Sequence, residues 1–293
     1  YRSLDGGDTW TEMTNGLPSV ASEKGRISIA IAPSNADVLY ARYVDAAGSI
    51  QGVYRTSNGG DTWTEQSISG LTNVGFHWWF RGIYVDPTDE NTIYNVDFVV
   101  EKSTNGGTSW STAFPGVHVD QHALAFNNQT PGEVLLGNDG GLYYSDDDGA
   151  SSTKDLTLPI TQLYRMYVDP QNEDKVYAGA QDNSTMRTTT GGLSNWDIIN
   201  GGDGFQPLVD ATNTNVIYAL SQRGNFVKST NNAASFVPAT SGIPGSARKN
   251  WDTPVTFDPA NSQILYYGAN QLYKSDNAAG SWTAISPDLT DGS

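Results

Sequence analysis

The stretch His118-Val-Asp120-Gln121-His122 sets two imidazoles around a carboxylate at alternate positions. On an extended strand that spacing turns all three side chains to one side, a grouping suited to metal binding or shared proton transfer. Polar packing between neighbouring elements is the competing use. Asp139, Asp182 and Asp203 each stand beside Gly or Asn, in Gly137-Asn-Asp-Gly-Gly141, Gln181-Asp-Asn183 and Gly202-Asp-Gly204. Glycine allows a tight turn and close approach of a ligand to the backbone. Two carboxyl groups about 5–5.5 Å or about 6.5–9.5 Å apart would serve glycoside hydrolysis, whereas turn capping needs only one. Asp120, His122, Asp139, Asp182 and Asp203 are therefore the catalytic candidates. Trp78, Trp79 and Trp251 offer ring faces for stacking on sugars or for packing between sheets. Arg81, His118, Gln121, Gln181, Asn183, Arg223 and Asp252 join them as candidate ligand contacts. Which residues would hold a metal stays open; no cofactor is required, and a calcium ion is compatible with the carboxylates.

A repeat must position these residues. One phrase recurs seven times: a small polar residue, Asp or Asn two positions on, Gly or Ala, then Thr or Ser before an aromatic. It reads Ser3-Leu-Asp5-Gly-Gly7-Asp-Thr9-Trp10, Thr56-Ser-Asn58-Gly-Gly60-Asp-Thr62-Trp63 and Ser103-Thr-Asn105-Gly-Gly107-Thr-Ser109-Trp110. Looser copies start at Ser145, Thr188, Ser229 and Ser275. A period of roughly 40–50 residues marks blades or solenoid units. Each period holds four β-branched or aromatic runs separated by turn residues, the pattern of a four-stranded antiparallel sheet. In the third, these are Gly82 to Pro87, Thr92 to Phe98, Val99 to Ser103 and Ser109 to Phe114.

The expected fold is all-β, a β-propeller of four-stranded blades in one domain over 1–293. A half blade occupies 1–20, complete blades occupy 25–68, 80–114, 118–157, 161–200, 204–240 and 253–286, and 287–293 is a linker. The half blade lacks its two inner strands, so the remainder of a longer polypeptide or a neighbouring chain is expected to complete it. The phrase itself, here called the box, is read as a turn device: Asp or Asn accepts backbone N–H bonds and Gly takes positive φ. Inter-blade and second-to-third loops share the face opposite the boxes, and every candidate named above falls there.

Composition narrows the function. Sixteen basic against 32 acidic residues leave a net charge of −16, which repels phosphate backbones and anionic membranes. No run is long and apolar enough to span a membrane. Cysteine is absent, which excludes disulfides and thiolate metal sites. The Asn-, Thr-, Ser- and Gly-rich, Lys-poor composition points to a secreted or cell-surface protein.

With its boxes and Asp-Pro turns, such as Asp86-Pro87 and Asp169-Pro170, the chain resembles the Asp-box propellers. That group includes sialidases, xyloglucanase-type glycoside hydrolases and sortilin-type ligand-binding propellers. His118 to Leu124, Gly137 to Gly141, Gln181 to Asn183 and Gly201 to Phe205 resemble most closely the secreted bacterial members related to the sortilin and xyloglucanase types. The sialidase pattern is incomplete: Arg26, Arg81 and Arg165 begin inner strands, but the Tyr/Glu pair and the Arg-Ile-Pro motif are missing. The resemblance implies a central mouth that binds a glycan or an extracellular protein. Hydrolysis of a polysaccharide by a pair of Asp residues, or a scaffold role in a larger surface protein, are the alternatives.

Overall fold

Residues alternate between the two faces of each strand, and inner runs such as Ile93–Val96 and Ile217–Ser221 are buried on both faces. Such a strand must be covered on both sides, so the sheets stack face to face. The computed structural model describes residues 1–158 and 160–290; the end of the expected linker, 291–293, lies outside them. The chain divides into two compact units, 1–159 and 160–293.

In the first unit the sheets are β1 (Ile27–Ala32), β2 (Asn35–Val44), β3 (Ile50–Thr56) and β4 (Thr64–Gln66); β5 (Gly82–Val85), β6 (Ile93–Val96), β7 (Val100–Ser103) and β8 (Ser111–Ala113); and β9 (Gln121–Phe126), β10 (Val134–Asn138), β11 (Gly141–Ser145) and β12 (Thr153–Lys154). In the second unit they are β13 (Arg165–Asp169), β14 (Asn172–Gly179), β15 (Thr185–Thr188) and β16 (Trp196–Asn200); β17 (Leu208–Val209), β18 (Ile217–Ser221), β19 (Asn225–Ser229) and β20 (Val237–Pro238); and β21 (Val255–Asp258), β22 (Asn261–Gly268), β23 (Leu272–Ser275) and β24 (Thr283–Ala284). Each sheet pairs its strands in chain order, antiparallel throughout. The fold is all-β, six four-stranded sheets of the propeller-blade type. Before them, Arg2 and Thr11 pair as a short two-stranded hairpin.

Within each unit, neighbouring sheets share a core. Val38, Tyr40 and Val53 of the first sheet meet Ile83, Val85 and Ile93 of the second. Tyr94 and Val96 meet Leu124, Val134 and Leu136 of the third. In the second unit Tyr177 packs on Val209 and Ile217, while Tyr218, Leu220 and Phe226 pack on Leu265, Tyr267 and Trp282.

The boxes close the third-to-fourth-strand turns, and their side-chain oxygens are committed to the turn itself. Ser145 Oγ donates to Asp147 Oδ1 at 2.8 Å and accepts the Gly149 N–H at 2.8 Å, while Asp147 accepts the Ser151 N–H at 2.8 Å and hydroxyl at 2.7 Å. Asn58, Asn105, Asn231 and Asn277 accept the same backbone N–H from the residue four positions on. An amide oxygen can therefore replace the carboxylate in this turn. Glycine is not essential either, since Asn232, Ala233, Ala278 and Ala279 hold positive φ in the fifth and sixth sheets' boxes.

Donors to the carboxylate make the Asp copies acid-sensitive. The Thr9 hydroxyl and N–H hold Asp5 well below the usual carboxylate range, and the Ser151 N–H and hydroxyl lower Asp147. A depressed carboxylate contributes stability above its unfolded pKa of about 3.9 and loses it as pH falls further. Asp147→Asn is accordingly expected to leave the melting temperature at pH 7 within about 2 °C of wild type. It should shrink the additional loss on moving to pH 3, which thermal melts at the two pH values measure.

Candidate functional site

A 3-10 turn, His77–Trp79, connects the first and second sheets of the first unit. Trp78 and Trp79 are 52% and 59% exposed, with ring centroids 5.8 Å apart and planes at 88°. The backbone beneath them is fastened by guanidinium groups. Arg42 Nη2 donates to the His77 carbonyl at 3.0 Å, and Arg26 Nη1 donates to the Trp78 carbonyl at 2.8 Å. Arg26 is thus engaged on the turn rather than held open for a substrate carboxylate.

Strand pleat explains how Arg42 reaches the turn. Val38, Tyr40 and Arg42 share one face of β2, and Ile93 and Asn95 of β6, followed by Asp97, share the face opposite. The row is apolar near the boxes and becomes charged towards the other end. Arg42 and His77 are fully buried and Asp97 nearly so. Arg42 Nη1 bonds Asp97 Oδ2 and, at 2.7 Å, Asn95 Oδ1. His77 Nδ1 lies 2.6 Å from Asp97 Oδ1, and the Val74 N–H donates to His77 Nε2 at 3.0 Å. A backbone N–H can only donate, so Nε2 accepts and the proton sits on Nδ1, facing the carboxylate. Glu101 extends the cluster, accepting from Asn95 at 2.9 Å and from the Thr72 N–H at 2.8 Å. Burial draws the Arg42 guanidinium down from its ordinary pKa, against the pull of Asp97, and pushes the Glu101 carboxyl up. Residue type alone singles out none of Arg42, Asn95, Asp97 and Glu101 as functional residues. The available signal was a charged residue at an inward position of an otherwise apolar run, Val38-Leu-Tyr-Ala-Arg42-Tyr-Val44.

Next to this turn, Phe80 is buried and its ring lies 6.2 Å from that of His122. His122 Nε2 is 2.7 Å from Asp139 Oδ1, a His–carboxylate pair at a partly exposed position. The expected alternation of His118, Asp120 and His122 along a strand does not occur. β9 begins only at Gln121, and Asp120 has φ 64°, so the chain turns before the strand starts. His118 Nδ1 donates instead to the Val119 carbonyl at 2.8 Å. Buried Gln121 donates to the His118 carbonyl at 2.6 Å, and Asn138 donates to the same carbonyl at 2.9 Å. These bonds clamp the His118 loop onto the Asn138 turn, where a Cβ on Gly140 would stand 2.4 Å from that of His118. The fold brings Asp120 and Asp139 together, with one carboxylate oxygen of each within 4.8 Å of the other. Two carboxylates at that spacing could hold a hard cation such as calcium through oxygen ligands. Arg81 is exposed at the entrance to β5.

The second unit carries its own group of candidates. The Asp182 N–H donates to Asp203 Oδ1 at 2.7 Å, and Asp203 is buried. Tyr164 Oη bonds Gln181 Oε1, and Asn183 Nδ2 donates to the Gln181 carbonyl at 3.2 Å. Arg165 pairs with Asp252 at 2.5 Å. Trp251 is 41% exposed, with its ring edge-on to buried Phe205. Its carbonyl accepts the N–H of Arg223, itself at φ 55°. The glycine beside Asp203 is required by the chain's own packing: a Cβ on Gly204 would lie 2.1 Å from the Ser184 carbonyl oxygen. The close approach expected of a ligand is made there by a neighbouring loop.

No family model matches this sequence, and no curated protein matches it. Among solved structures, a GH74 enzyme from Niastella koreensis is similar over 87% of this chain and 46% of its own, at 19% identity and a TM-score of 0.40. A GH74 xyloglucanase from Xanthomonas campestris is similar over 86% of this chain and 45% of its own, at 17% identity and a TM-score of 0.38. YCF48 from Cyanidioschyzon merolae gives 91% and 86%, with 13% identity and a TM-score of 0.34. The chain spans less than half the length of the two GH74 proteins, and at these identities the likeness is one of fold alone.

Proposed function

We propose that this chain is a secreted or surface Asp-box propeller that binds a glycan, with Trp78 and Trp79 as the stacking platform. The observation that carries the reading is the pairing of two exposed rings with a backbone fastened by Arg26 and by the buried Arg42–Asp97–His77 cluster. Exposed indoles on a free loop would lose conformational freedom on binding; rings held in advance lose less, which is how preorganisation raises affinity. Their edge-to-face arrangement presents two apolar faces to the ring hydrogens of a sugar. Nearby His122 and Asp139 supply polar contacts for hydroxyl groups. A net charge of −16 disfavours polyanions and leaves neutral polysaccharides as the favoured class.

Hydrolysis is the second reading, favoured by the approach of Asp120 to Asp139. Two carboxyl groups about 5–5.5 Å apart suit a retaining mechanism, and a calcium ion in the same place is the non-catalytic use of the pair. One experiment separates them: native gels cast with a panel of neutral and acidic polysaccharides, with reducing-end release measured in parallel. Retardation by a neutral polysaccharide without release is expected. Release that Asp139→Asn abolishes would shift the function to hydrolysis, and no retardation or release across the panel would remove glycan binding altogether.

A further inference from the structure

Tyr94 and Lys102, paired across β6 and β7, both donate to one carbonyl of the next sheet, that of Asp148, the fourth residue of its box, at 3.1 and 3.4 Å. Tyr218 and Lys228 repeat this on Ala278, at 3.1 and 2.8 Å. Tyr40 and Arg55 are the corresponding pair of the first sheet, and the carbonyl in the same place on the second sheet is that of Gly106. Neither residue bonds it. Tyr40 Oη donates to the Glu90 carbonyl at 2.8 Å, Arg55 Nε donates to Tyr40 Oη at 3.0 Å, and Arg55 Nη2 turns to Asn91 Oδ1 at 3.5 Å and Glu90 Oε1 at 3.6 Å. Gly106 is buried, yet among the described residues no group donates to its carbonyl. Buried carbonyls are nearly always paired, so this one calls for a donor from outside the chain.

Beside it lies a groove of about 340 Å³ between the first and second sheets, at the box end of the strands and away from the tryptophan turn. Arg55 and Gly106 line it, together with Ser57, Thr64 and Gln66, and no carboxylate is among its described lining residues. Gln66 Nε2 is used on the Thr64 carbonyl, but its Oε1, the Ser57 and Thr64 hydroxyls and Arg55 Nη1 have no partner among the described residues. The groove therefore offers acceptors, a donor and hydroxyls that do either. A cationic ligand would meet the guanidinium, and an anionic one would meet Glu90 beside it and the charge of −16 on the chain. A sugar suits such a set, because each of its hydroxyls both donates and accepts.

We infer that this groove is a binding site for a neutral monosaccharide unit, one hydroxyl donating to the Gly106 carbonyl and another accepting from Arg55 Nη1. The site is separate from the tryptophan platform and does not depend on it. Its volume falls at the small end of ligand pockets. With no aromatic face among the lining residues, recognition rests on hydrogen bonds alone, which gives a dissociation constant of about 1–10 mM.

Nuclear magnetic resonance of the ¹⁵N-labelled chain tests this, with methyl glycosides of glucose, galactose and xylose as probes and glucuronate and glucosamine as charged counterparts. The Arg55 Nε–H, the Gln66 side-chain amide and the Gly107 N–H, whose peptide carries the Gly106 carbonyl, should shift together and saturate with at least one neutral glycoside. Ser57→Ala with Thr64→Val removes two exposed hydroxyls, neither of which takes part in the box's own bonds, and should weaken that binding by about fivefold or more. Trp78→Ala/Trp79→Ala should leave these shifts unchanged, so failure of the groove and failure of the platform are told apart. No saturable shift at the three groups with any neutral glycoside would overturn the inference. So would tighter binding of either charged sugar, or full binding by the Ser57→Ala/Thr64→Val chain.

Discussion

Replacing Asp97 with Ala is expected to cost the first unit about 3–5 kcal/mol, the loss typical of breaking a buried ion pair from one side. Arg42 would keep its charge in a fully buried position and lose its carboxylate partner, and the His77 Nδ1–H would lose its acceptor. Asn95 alone cannot neutralise the guanidinium. The double variant Asp97→Leu, Arg42→Met removes both charges and should recover most of the loss, because an apolar pair of similar volume escapes the desolvation penalty. Urea unfolding followed by circular dichroism measures both; a loss under about 1 kcal/mol for Asp97→Ala would show that the cluster is not what holds the sheets together there. Glu101 adds a pH dependence of opposite sign to that of the boxes. Its pKa is raised in the folded state, so its ionisation disfavours folding at neutral pH, and that penalty fades as pH falls through the folded value.

The second large effect concerns binding. Removing one stacking ring costs about 1–1.5 kcal/mol, roughly tenfold in affinity. Trp78 and Trp79 touch, so their losses combine non-additively. The double alanine variant is expected to weaken binding by roughly 30- to 100-fold. Folding is insulated from this change, because both side chains are exposed and the bonds that fasten the turn go to its backbone carbonyls. Trp251→Ala in the second unit is the control for general loss of indole surface.

The fold was legible because the box carries its own geometry. A Ser or Thr hydroxyl, an Asp or Asn oxygen and a residue of positive φ form a turn from local bonds alone, and each copy marks the end of a third strand. Period-two alternation then placed the remaining strands. The site was only partly legible. Trp78, Trp79, His122 and Asp139 could be picked out by residue type, but Asp120 at φ 64° breaks the alternation that would have aligned it with His118 and His122. The approach of Asp120 to Asp139 comes from a contact between loops, which spacing along the chain cannot encode. Arg42, Asn95 and Asp97 were hidden for a related reason: their meaning depends on which sheet faces which, and only the assembled row shows a charge cluster under the tryptophan turn. Gly204 illustrates the reverse error, since a glycine beside a carboxylate looks like room for a ligand until the Ser184 carbonyl is found there.

The central claim is that the tryptophan turn of the first unit is the binding platform for a glycan. Isothermal titration of wild type, the Trp78→Ala/Trp79→Ala variant and Trp251→Ala with a neutral polysaccharide retained by the protein tests it most directly. The platform requires a loss of roughly 30-fold or more in the double variant, with circular dichroism unchanged and Trp251→Ala close to wild type. Wild-type affinity in the double variant would contradict it.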